Sequence, residues 1–236
     1  MTAATDFAAA LLGAAQQGPM ETHPFVRGVI AGSVSPQVVR NYAAGVSSLA
    51  AAFPNRIAAV LSICPHADVR RVLLGNLLEE EGVVGIDAEH GVTIDEARRH
   101  VTMAQRFARA AGAGEATLRQ PKTARWFDDA IAAGAWLGAF AYFAIGFEAN
   151  VPATFRLLTK GLIEHYGYAL DDLVFLTEHF TADERHGIES ASLIARVAAS
   201  AREREHALEG ARHGGMAWWL FHLQALRDRS RSGRLT

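Results

Sequence analysis

The chain has 236 residues, 50% of them hydrophobic and 20% charged, with a formal net charge of −2. That profile gives an ample globular core and no basic footprint for nucleic acid or an anionic membrane surface. A lone cysteine, Cys64, excludes an intramolecular disulfide framework and fits a reducing, cytoplasmic setting.

The N-terminus has no basic stretch ahead of an apolar core, so no secretion signal is expected. Residues 5–17 read as a first helix stopped by Gly18-Pro19, and His23-Pro24-Phe25 opens a short second one. Ser35-Pro36 is an N-cap with proline at the first helical position, the start of a long helix to Ile63 that Pro54 should kink. A helix follows over Asp68 to Glu81, with Val72, Leu73, Leu77 and Leu78 toward the core.

That helix ends in Glu79-Glu80-Glu81, three acids set against the helix dipole. Either the end is solvated, or one acid turns inward. Glu80 continues the face of Leu73 and Leu77 and is the one placed to do so. Residues 82–94 read as a Gly/Val-rich connection without strands and contain His90. Thr93 or Asp95 caps the next helix, which carries His100 and stops at Gly112.

The longest helical pattern runs from Gln120 to Gly167, interrupted near Asn150-Val151-Pro152. Its apolar run from Ile131 to Phe147 is short for a membrane span and ends at a carboxylate, so it reads as a buried helix. The carboxylate is Glu148. Buried there it would need a cation or a partner, unless it caps a helix end.

Leu170 to Ala201 holds His179-x3-Asp183-x2-His186, two imidazoles and a carboxylate on one narrow arc of a helix. Such a trio can converge on a metal, although polar residues at this spacing also form solvated stripes. A closing helix carries Trp218 and Trp219, which suit a core or a homodimer interface. The tail from Arg227 to Thr236 is polar and expected to be disordered. The whole reads as one all-α domain over 1–236, a bundle of about seven helices with its core over about 5–226.

Collected, Glu80, His100, Glu148, His179, Asp183 and His186 make a mixed N/O donor set. It suits iron or manganese better than structural zinc, and six donors are about right for two ions.

Several short stretches then resemble the heme oxygenase-like di-iron oxidases and oxygenases, in particular the chlamydial death-domain-associating proteins. They are Ala52 to Pro65, Asn76 to Glu81, Phe147 to Pro152, and Phe175 to His179 with Ala182 to His186; the likeness covers roughly residues 20–200. More distantly the chain is similar to the TenA and pyrroloquinoline quinone synthase families.

The resemblance implies a heme oxygenase-like bundle with Glu80 and Glu148 among the ligands of two ferrous ions. It also implies O2 as co-substrate and a small amine, amino acid or carboxylic acid as substrate. For the first histidine, distance from Glu80 favours His90. The family's later Phe, Ala and Gly favour His100, from which they fall on Phe107, Ala110 and Gly112. His100 is preferred.

The chlamydial members are taken to make 4-aminobenzoate from one of their own tyrosines with help from a lysine. Those positions fall here on Val26 and Leu158, so an external substrate is implied. Phe140 and Phe143 are expected to shape its pocket, with Lys160, Arg156 or Lys122 as a clamp. The competing expectations are a cofactor-free quinone-synthase-like oxidase, a thiaminase-like hydrolase using Cys64, and a non-catalytic helical interaction module.

Overall fold

A computed structural model describes residues 3–113 and 124–227, without the side chains of residues 3, 124 and 181–185. The expected tail beyond Arg227 and the candidate clamp Lys122 lie outside the described residues. Among the described residues, ten α-helices and one β-hairpin follow in order: α1 Ala3–Ala15, α2 Pro24–Ile30, α3 Pro36–Ile63, α4 Ala67–Glu80, β1 Val83–Asp87, β2 Gly91–Ile94, α5 His100–Ala110, α6 Ala124–Ala132, α7 Trp136–Ala144, α8 Val151–Tyr166, α9 Val174–Val197 and α10 Ala201–Ala225.

Local chemistry sets most of these boundaries. Ser35 accepts from the Val38 N–H and Pro36 opens α3, which then runs on through Pro54. By length and composition α3 could cross a membrane. Here it packs on α4, α5, α7 and α10, with Val39, Tyr42, Val46, Ile57 and Val60 buried. Ser200 and Glu203 form a reciprocal capping box that starts α10.

Two expectations change. The single pattern over 120–167 is three helices within its described part, because Gly134 takes a left-handed conformation after α6 and a 3-10 turn at Glu148–Asn150 precedes Pro152 in α8. The connection 82–94 is an antiparallel hairpin, with Ile86 opposite Val92 and Val83 opposite Ile94. Its strands are only five and four residues long and show no clean burial alternation, which is why periodicity missed them.

One buried cluster runs from Phe7 to Ala225 and draws on every α-helix. α7 and α10 approach closely, through glycines on both. A Cβ on Gly214 would overlap the Tyr142 carbonyl, and one on Gly210 the Gly138 carbonyl. This contact fixes α10, and with it Trp218 and Phe221, against the floor of the cavity described next.

Candidate metal centre

Among the described residues, Glu80, His100 and His179 form a group whose potential ligand atoms all lie within 4.8 Å of one another. They come from three elements: the last residue of α4, the first of α5, and α9. The Glu80 carboxylate is 8% exposed, and its Oε1 lies 2.9 Å from His100 Nδ1. The His100 and His179 rings meet edge to face with centroids 4.4 Å apart.

His179 is oriented from behind. Its Nδ1–H donates to the Phe175 carbonyl one turn earlier at 2.7 Å, so Nε2 carries the lone pair. Burial pushes its pKa down to about 3, reinforced by His100 and His186 and opposed by the Phe175 bond. A neutral imidazole is the form that binds a metal.

These residues line a cavity of about 470 Å3. Glu148, 7% exposed on its 3-10 turn, and His186 on α9 line the same cavity. Gly187 allows that neighbourhood, because a Cβ there would stand 3.0 Å from Ala149 Cα. The backbone at Asp183 is helical within α9, and its side chain lies outside the described residues. Five of the six expected ligands therefore border one cavity.

His90 does not. It sits exposed at the hairpin turn, where Asp87 accepts from its backbone N–H at 2.8 Å and from its Nδ1 at 2.9 Å.

The pocket residues expected from sequence need correction. Phe140 and Phe143 are fully buried in α7 and stand outside the cavity lining; Phe143 backs Phe53, which does line it, at 5.6 Å between ring centroids. An uncharged run announces burial but not which neighbour it faces. Lys160 is exposed on α8, 3.9 Å from Glu164, and Arg156 lies over the Phe180 ring at 5.2 Å; neither lines the cavity.

The actual walls include Phe53, Phe147, Phe155, Phe175, Trp218 and Phe221. Sequence reasoning overlooked Arg98, which also lines the cavity; its place directly before Arg99-His100 was the available signal. Cys64 is buried outside the lining, with its thiol pKa raised by burial, so it is no nucleophile for this cavity.

The donor chemistry fits iron. Carboxylate oxygens and neutral imidazole nitrogens without thiolate are the hard-to-borderline set that Fe(II) prefers. Two acidic side chains, each less than a tenth exposed, add the negative charge that suits a bound cation.

A helical bundle with an interior carboxylate–imidazole cluster has the architecture of an iron-binding redox protein. The chain belongs to the iron-containing redox enzyme family, whose family model matches residues 40–219. It is 31% identical over 189 residues to a 4-aminobenzoate synthase of Chlamydia trachomatis serovar D, covering 76% of this chain and 75% of that protein. It is 29% identical over 192 residues to a 4-aminobenzoate synthase of Chlamydia muridarum, covering 76% and 73%.

Among solved structures, a TenA homolog from Pseudomonas syringae pv. tomato superposes with a TM-score of 0.72 at 14% identity, covering 94% of this chain and 91% of that one. A CADD-like protein from Nostoc punctiforme gives 0.61 at 16%, covering 99% of both. A domain from Shewanella denitrificans with a heme oxygenase-like fold gives 0.65 at 12%, covering 94% of this chain and 90% of that one.

Proposed function

We propose that the protein is an O2-activating di-iron oxidase or oxygenase acting on a small external amine, amino acid or carboxylic acid, by N-oxygenation, desaturation or oxidative C–C cleavage. The observation that carries this reading is the convergence of Glu80, His100 and His179, with ligand atoms within 4.8 Å, on a cavity large enough for a metabolite. In the proposed centre Glu148, Asp183 and His186 complete the ligand set for the second iron.

Iron bound there would supply the one-electron steps that allow O2 to react with a closed-shell substrate. The protein's own part is binding and exclusion. Glu80 and Glu148 balance the cation charge from buried positions, and the Phe175 carbonyl holds the His179 tautomer. Phe53, Phe155 and Trp218 keep bulk water from the reacting face.

Val26 and Leu158, where the family resemblance would set an internal tyrosine and lysine, are both fully buried apolar residues outside the cavity lining. That supports an external substrate over self-conversion. The proposed working state is a cytoplasmic homodimer.

Anaerobic loading with Fe(II), desalting and iron assay tests the centre. About two irons per chain are expected from six N/O donors. Iron that stays near zero would remove the oxidase reading and favour a cofactor-free enzyme or an interaction module.

A further inference from the structure

The base of the hairpin borders the cavity: Gly82 and Val83 line it, as do Ala97 and Arg98 on the 3-10 turn that follows. That base is closed by the Asp95 N–H donating to the Gly82 carbonyl at 2.8 Å. Arg99 then clips the following turn, reaching Glu81 at 2.7 Å and Glu96 at 3.2 Å. The neighbouring Arg98 is thereby held on a braced 3-10 turn, exposed to solvent and lining the cavity.

Two acids on other elements line the same cavity and are also exposed: Glu79 on α4 and Glu178 on α9. Among the described residues, none of these three side chains is ion-paired. One positive and two negative groups thus line the cavity uncommitted. Deeper in, Phe53, Phe155, Trp218 and Phe221 offer aromatic surface.

We propose that the cavity recognises a free α-amino acid with an apolar side chain of aromatic size. Arg98 pairs with the α-carboxylate, Glu178 and Glu79 face the α-ammonium, and the aromatic side chains receive the substituent. A simple carboxylic acid would leave two glutamates facing an anion, and a simple amine would set Arg98 against an ammonium; only the zwitterion satisfies both signs. The inference rests on the oxidase reading for the fate of this substrate and on the lining alone for its recognition.

Calorimetric titration under nitrogen tests it, on both metal-free and ferrous-loaded protein. The probes are L-phenylalanine, 3-phenylpropionate, 2-phenylethylamine and L-alanine. L-Phenylalanine should bind saturably and roughly twofold to fivefold tighter than each of the others, the scale of one exposed ion pair or one lost aromatic contact.

Arg98→Gln should reduce L-phenylalanine to the affinity of 2-phenylethylamine, and Glu178→Gln should reduce it toward that of 3-phenylpropionate. Both side chains are exposed, and circular dichroism checks that the variants stay folded. No saturable binding of L-phenylalanine, equal affinity for the three phenyl compounds, or an unchanged pattern in Arg98→Gln each overturns the proposal. Iron assay on the same samples separates the two readings. Selective binding without iron removes the oxidase and leaves the recognition, whereas full iron without selectivity does the reverse.

Discussion

His179 and His222 make the same local bond, Nδ1–H to the carbonyl four residues earlier, and burial holds both near a pKa of about 3. They differ in what Nε2 meets. In His179 it is left for the carboxylate–imidazole cluster, while in His222 it accepts from the Tyr42 hydroxyl at 3.4 Å deep in the core. A histidine with a depressed folded pKa stabilises the fold fully above its unfolded value near 6.5 and loses that contribution as pH falls toward 3. His222 should therefore cost the native state about 1.4 kcal/mol per pH unit in this window. Urea unfolding at pH 6.5 and pH 5 should show His222→Phe losing about 2 kcal/mol less than wild type between the two, despite lower stability at pH 6.5 from the stranded Tyr42 hydroxyl. Equal acid loss in both proteins would place the proton elsewhere. At the cluster itself, His100→Ala should lower iron affinity by at least tenfold, while His90→Ala should leave it within about twofold, since an exposed turn residue contributes little. Much of this was readable. Glu80 followed from the face of Leu73 and Leu77, and His100 from the offset to Phe107, which is fully buried in α5. Arg98 was harder to read, because its place directly before Arg99-His100 hints at the site while periodicity does not show which cavity such a residue borders.

The elements bring these residues together through a few close contacts that periodicity cannot express. Gly210 and Gly214 let α10 lie against the α7 backbone at Gly138 and Tyr142. In the sequence they look like weak helix positions, because their value lies in a neighbour distant along the chain. Gly214→Val forces the two helices apart. It should cost about 1–3 kcal/mol, read as a lower urea midpoint at unchanged m-value. A variant as stable as wild type would mean the interface can slide. The hairpin gives a second lesson. Ile86, Val92 and Ile94 are β-branched, yet they remain exposed, so no inward face marked them as strands. Its base instead depends on the Arg99 bridge to Glu81, both about a third exposed. Arg99→Ala should speed amide exchange in residues 83–98 relative to α3. Because Arg98 sits on the loosened turn, KM should rise more than kcat falls, and an equal loss in both would assign Arg99 to the chemistry.

At the level of the whole molecule the proposed ligands arrive from distant parts of the sequence: the end of α4, the start of α5, the turn before α8, and α9. His179 and His186 share a helix, so their spacing exists before any metal binds. Glu80 and Glu148 do not, and each brings a negative charge into an interior where burial opposes it. A cation held by the proposed ligands would offset that charge and add a tie among four elements. Binding to the native state alone must raise the unfolding temperature by mass action. With free Fe(II) at 100 times the dissociation constant the gain is about 2.7 kcal/mol, or roughly 5–10 °C for a chain of this size. Glu148→Gln should leave the metal-free protein folded, since the amide keeps the size and shape of the carboxylate it replaces. It should also lose most of the iron-dependent rise. Differential scanning fluorimetry under nitrogen, with and without Fe(II), reads both. An unchanged rise in Glu148→Gln would put the bound iron away from the turn before α8, and the centre would then have to be redrawn around Glu80, His100 and His179.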